Sequence, residues 1–117
     1  MTDVNLIMVL AVIIAGECGT IGGTCEVEVA RTMANRYVVA GDWAEVVGAY
    51  YGRGEPTVAS WVAASAALSA PAAMADGRYV YVYSDQDREV MGWRRGDTVM
   101  CGPPGCLHFA ADWPGPP

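Results

Sequence analysis

Lysine is absent from this 117-residue chain: all seven basic side chains are arginine, against thirteen acidic ones and a formal net charge of −6. Phosphate neutralisation needs clustered positive charge, so the chain is a poor candidate for binding nucleic acid. The same shortage argues against electrostatic docking on an anionic membrane. No hydrophobic run is long enough to span a bilayer; the apolar stretch at residues 4–15 is too short and reads as a buried helix. No basic n-region or cleavage site marks a secretory signal after Met1-Thr2-Asp3. Histidine occurs once, at His108, and there are no internal repeats and no low-complexity block.

Hydrophobic residues make up 53% of the chain, enough for one packed domain with a single modest core. The four cysteines fall in two local pairs, Cys18 with Cys25 and Cys101 with Cys106. Three disulfide connectivities are open to them. The local one is simplest and would staple the loop after residue 17 and the Gly-Pro-Pro-Gly turn. A four-cysteine zinc site is the sharper alternative, but the spacings exceed the usual gap. Free buried thiols rank between the two. Disulfides, if formed, imply an oxidising compartment.

Apolar periodicity and punctuation give an order of elements. A helix over residues 5–14 presents Leu6, Val9, Leu10, Ile13 and Ile14 as its stripe. After a glycine-rich loop, a second helix spans about 25–39, with Thr24 as N-cap and Gly41 as its stop. Ala30, Met33, Ala34, Tyr37 and Val38 form its inward face, and Glu26 shares that face one turn earlier. Asp42 with Glu45 resembles a capping box and opens a helix over 43–51. Thr57 caps a helix over 58–69, and Pro71 starts a short further one. Strict Tyr/Val alternation over 78–84 predicts a strand with two different faces. Residues 85–92 are a polar loop or short helix. Segments 98–100 and 107–110 are weaker strand candidates around the Cys-Gly-Pro-Pro-Gly-Cys turn. The fold class is α+β, mostly α, with a small late β-hairpin or sheet. Residues 1–113 form the domain and 114–117 a tail expected to fray.

Glu17 carries the most chemistry. It closes the first apolar run inside Gly16-Glu17-Cys18-Gly19. Burial at such a place raises a carboxyl pKa, and a carboxyl protonated near neutrality can act as a general acid. Glycosidic cleavage requires that.

The segment from Val9 to Arg36 resembles the opening of the spore-cortex-lytic (SleB-like) cell wall hydrolases. That family shows a helix ending in a catalytic Glu, then small residues and glycines, then an amphipathic helix ending in Asn-Arg. Here Glu17, Gly19, Val27, Val29, Ala30, Asn35 and Arg36 match without a gap. More loosely, Tyr79-Val80-Tyr81-Val82-Tyr83 stands where the family has an aromatic strand. Trp93 falls where a Trp is expected, and His108-Phe109 resembles the closing His-x-Phe region. Two departures are clear: Glu26 stands where the family usually has Gln, and the four cysteines lie outside its general pattern.

The resemblance implies a lysozyme-like single domain acting on peptidoglycan as a muramidase or lytic transglycosylase, without cofactor or metal. It implies the glycan strands as partner, a monomer, and action at the cell wall. The missing signal then fits a trimmed chain, a phage lysis enzyme that crosses through holin pores, or a cytoplasmic protein. In a lytic transglycosylase one Glu protonates the leaving oxygen and then takes the proton of the sugar's own 6-hydroxyl. Glu17 is assigned both roles, and Glu26 is the candidate for a second carboxyl. The bland reading of Glu26 is a first-turn helix carboxylate.

Tyr79, Tyr81 and Tyr83 share one strand face that could line a glycan groove or pack in the core. Tyr81 and Tyr83 are the candidate substrate contacts. Trp43, Trp61 and Trp93 read as core. Asn35 and Arg36 are expected to stand behind the acid, holding the second helix against its loop. His108 reads as a satisfied, partly buried histidine rather than a base, since no cysteine spacing supports a dyad. The competing functional class is a non-catalytic module of the same fold that binds cell wall glycan or a partner protein. A third is a small scaffold, stabilised by disulfides or metal, with no glycan role.

Overall fold

Helix α1 (Val4–Cys18) forms because its residues are almost all apolar and helix-compatible up to Gly16. A computed structural model of the chain describes residues 4–103 and 105–116. The N-terminal tripeptide, Pro104 of the proline turn and Pro117 of the tail lie outside the described residues. α1 runs four residues past the expected end, so Glu17 sits within its last turn. Leu10, Ala11, Ile13, Ile14 and Cys18 are buried, whereas Val9, expected in the stripe, is exposed. A helix apolar nearly all round does not specify its inward face by periodicity.

Helix α2 (Cys25–Ala40) buries Val29, Ala30, Met33 and Ala34 and turns Val38 outward. Gly41 ends it in the left-handed region at φ 71°, and its N–H bonds the carbonyl of Tyr37. Thr24 makes no side-chain cap. Asp42 caps α3 (Trp43–Ala49) by accepting the N–H of Ala44. Glu45 does not complete a capping box; its carboxylate holds Arg36 instead. Helix α4 (Val58–Ser69) opens on a reciprocal cap between Thr57 and Ser60, and α5 (Pro71–Met74) starts at proline.

Strand β1 (Tyr81–Ser84) is shorter than the Tyr/Val alternation, which begins before pairing does. Helix α6 (Asp85–Met91) follows at once, with the Ser84 hydroxyl accepting the N–H of Asp87. Strands β2 (Thr98–Gly102) and β3 (Gly105–Ala110) form a hairpin. The sheet is antiparallel in the order β1-β3-β2, with Tyr83 opposite His108 and Cys101 opposite Cys106. The chain is therefore mixed α+β, dominated by helix. α1 packs on α2 and α4, and Leu107 and Phe109 of β3 join Leu10, Ile13, Ile14 and Met33 in the core.

Both local disulfides form, Cys18–Cys25 and Cys101–Cys106, so all four sulfurs are consumed and the zinc alternative falls. The first ties the end of α1 to the start of α2; the second closes the β2–β3 hairpin. No helix among the described residues is long and apolar enough to cross a membrane. The tail departs from expectation at its first residue: Pro114 is buried and its carbonyl accepts the N–H of Arg94 at 3.0 Å.

Candidate active site

Glu17 is held where two backbones nearly touch. The segment after α3 crosses the last turn of α1, with Gly54 donating to the carbonyl of Val12 at 2.9 Å. A Cβ on Gly16 would lie 2.1 Å from the Arg53 nitrogen, and one on Gly52 would lie 2.7 Å from Oε1 of Glu17. No side chain fits either place, and that closeness brings the Gly52 N–H to Glu17 Oε1 at 2.8 Å.

Burial pushes the Glu17 carboxyl up from 4.5 to about 7. The Gly52 N–H opposes this, the charge of Asp87 adds to it, and Arg53 again opposes it. Desolvation dominates because a carboxylate inside the protein loses more hydration than one N–H restores. Arg53 is spent locally, its guanidinium donating to the carbonyls of Tyr50 and Gly52.

Glu17 borders two cavities. The first, about 230 Å³, is walled by Arg36, Tyr50, Tyr81, Tyr83, Asp87, Trp93 and Trp113. Its mouth carries Tyr51, Met91 and Trp113, all well exposed. The second, about 250 Å³, is more polar and is bounded by Ser84, Asp85, Gln86 and the Gly105–Cys106 segment. Glu17 therefore stands between an aromatic recess and a polar one.

Tyr81 and Tyr83 both face the first cavity. Tyr83 is buried, donates to the carbonyl of Arg94 at 2.8 Å, and lies flat on His108 with centroids 5.3 Å apart. Tyr81 meets Trp113 edge-on at 5.8 Å, and Trp113 meets Trp93 in the same way at 5.6 Å. Trp93, expected in the core, is thus a cavity wall, and the sequence reading passed over Trp113 altogether. Tyr79 does not join its two neighbours. It precedes β1, packs near Phe109, and its hydroxyl pairs with Thr98. The pleat that aligns alternate side chains had not begun at residue 79.

Glu26 lines neither cavity beside Glu17. It sits in the first turn of α2, where a carboxylate suits the helix dipole. The second carboxylate on the first cavity is Asp87. The sequence carries only its local placement: Ser84-Asp85-Gln86-Asp87 is a capping pattern that puts residue 87 in the first turn of a helix after the tyrosine strand, without saying which cavity that turn borders.

Asn35 and Arg36 part company. Asn35 is buried and clamps the turn after α5: its oxygen accepts from the N–H groups of Asp76 and Gly77, and its amide donates to Asp76 and to the carbonyl of Tyr79. It holds α2 to that turn and not to the loop after Glu17. Arg36 is a wall of the first cavity, gripped by Glu45 at 2.9 Å with its guanidinium over the rings of Tyr81 and Tyr50. Tyr50 is buried against Glu17 and Arg36; burial raises its phenol, which donates to the carbonyl of Val80.

His108 has both ring nitrogens occupied. Nδ1 accepts the N–H of Gly96 at 3.0 Å, so Nε2 carries the proton toward Asp85 at 2.6 Å. That bond, then the Cys106 N–H, holds the Asp85 carboxyl below its usual range. Among the described residues, no cluster of His, Cys, Asp or Glu is arranged to hold a metal ion. No family model matches the chain, and neither the curated proteins nor the solved structures contain a match to it.

Proposed function

We propose that this protein is a peptidoglycan-degrading glycosidase that cleaves the MurNAc–GlcNAc bond with Glu17 as its general acid. The observation that carries this reading is Glu17 itself: a carboxyl raised to about 7, standing between an aromatic cavity and a polar one. A protonated carboxyl can deliver its proton to a glycosidic oxygen, and departure of that oxygen leaves a cationic sugar ring. The tyrosine and tryptophan rings of the first cavity suit the apolar faces of pyranose sugars. The resemblance of the Glu17–Arg36 segment to SleB-like hydrolases supports the substrate class, and the raised Glu17 carboxyl supports acid chemistry. The two disulfides are compatible with work in an oxidising compartment outside the cytoplasm.

The test is mass spectrometry of soluble products from purified peptidoglycan treated with the protein or its Glu17→Gln variant. Disaccharide-peptide products from the parent, absent from the variant, are expected. Anhydro ends identify a lytic transglycosylase, in which Glu17 alone suffices; reducing ends identify a muramidase. Glycan binding without any cut products sinks the enzyme and leaves a binding module.

A further inference from the structure

Cleavage leaves a sugar cation that something must stabilise and quench, and Glu17 is not the only carboxyl positioned to act on it. We propose that Asp87 is the second carboxylate of this site, facing the sugar cation and taking the proton of the water that attacks C1. The inference rests on the glycosidase reading and deepens it to a hydrolytic outcome.

Asp87 borders the same cavity as Glu17, on the helix that follows the tyrosine strand. Its backbone is fixed, because its N–H is held by the Ser84 hydroxyl at 3.1 Å. Its carboxylate makes no hydrogen bond or ion pair among the described residues. Arg36, on the same cavity, is gripped by Glu45. Arg53 is turned to backbone carbonyls. The other polar groups on that wall are the phenols of Tyr50, Tyr51, Tyr81 and Tyr83 and the indole N–H groups of Trp93 and Trp113, and the phenols of Tyr50 and Tyr83 are bonded to backbone carbonyls. A carboxylate without a partner on a cavity wall is open to a cation that enters the cavity. A developing oxocarbenium ion is such a cation.

The balance is that of hydrolysis. Glu17 gives its proton to the glycosidic oxygen as the C1–O bond breaks. A water oxygen bonds C1 while its proton passes to Asp87. Glu17 ends ionised and Asp87 protonated, and exchange with solvent restores both. Its field on Glu17 is a second consequence of the same placement, since like charge favours the protonated acid.

The test compares the full chain with Asp87→Asn, Asp87→Glu and Asp87→Ala on purified peptidoglycan, with rates followed against pH and folding checked by thermal unfolding. The parent is expected to release reducing ends. Asp87→Asn is expected to cut about 100-fold more slowly or worse, with its alkaline limb moved to lower pH because the charge that helps keep Glu17 protonated is gone. Asp87→Glu is expected to recover part of the rate. Azide added to Asp87→Ala is expected to restore cleavage as a glycosyl azide, the anion bonding C1 without needing a base. A misplaced fold would show none of this rescue. Asp87→Asn working at the parental rate, or anhydro ends from the parent, overturns the role of Asp87 and leaves Glu17 standing as the acid. A parent that cuts nothing brings down the glycosidase reading and this inference with it.

Discussion

At the scale of single residues, Glu17 couples protonation to stability. Its carboxyl lies near 7 in the folded protein against 4.5 ordinarily, so the folded state holds its proton more tightly than the unfolded chain does. The stability linked to that proton is complete below the unfolded value and is lost as pH rises through about 7. The difference is worth on the order of 3 kcal/mol. Glu17→Gln keeps an oxygen for the Gly52 N–H and removes the charge. In denaturant unfolding the variant is expected to match the parent below pH 4.5 and to exceed it by up to roughly 3 kcal/mol at about pH 8. A parent as stable as the variant under both conditions would show that Glu17 is not desolvated. The Asp85–His108 pair works the other way, a bonded carboxylate kept ionised, and it fixes the ring on which Tyr83 lies.

At the scale of elements, the site depends on a backbone crossing made by glycines. Gly16 on α1 and Gly52 and Gly54 on the following segment let two chains approach where any Cβ would collide. Gly52→Ala pushes a methyl against Glu17 itself, and relief requires the acid to move. The expected result is a loss of about 2 kcal/mol by overpacking. It comes with a larger fall in the proposed glycan cleavage than that destabilisation accounts for, read by unfolding and product assays on one preparation. Full activity in this variant would mean that the crossing does not set the acid. The helices that such crossings join were legible beforehand: α4 from its Thr57 cap, α2 from Gly41, α5 from Pro71. The crossing was not, because Gly-x-Gly after α3 reads as an ordinary turn when the helix it touches lies 35 residues earlier.

At the scale of the whole molecule, two short disulfides tie elements that the core alone would hold more loosely. Cys18–Cys25 is buried, immediately follows Glu17, and closes a span of seven residues. A loop of that length contributes about 2 kcal/mol by restricting the unfolded chain. The Cys18→Ser/Cys25→Ser variant is expected to unfold at lower denaturant by about that amount. Because the tie also anchors the last turn of α1, the proposed glycan cleavage is expected to fall further in this variant than in Cys101→Ser/Cys106→Ser, whose hairpin lies at the edge of the polar cavity. Equal activity in the two variants would separate the disulfide from the acid's position. The first cavity is itself a property of the whole molecule. Its walls come from α1, α2, the end of α3, β1, α6 and two tryptophans near the C-terminus.

The sequence alone determined the α+β class, most helix boundaries, the local cysteine pairing as the simplest choice, and Glu17 as the residue to watch. Those features depend on neighbours a few positions apart, where caps, glycine stops, apolar rhythm and short cysteine spacing act. Only the tertiary structure decided which carboxylate shares the cavity with Glu17. It left Glu26 off both cavities beside Glu17 and supplied Asp87 from an element seventy residues away. It likewise moved Trp93 from core to wall, recruited Trp113, and turned Asn35 toward a different turn. The physical reason is common to all four: what a side chain meets across a cavity is set by how helices cross and strands pair. No pattern within one element encodes that.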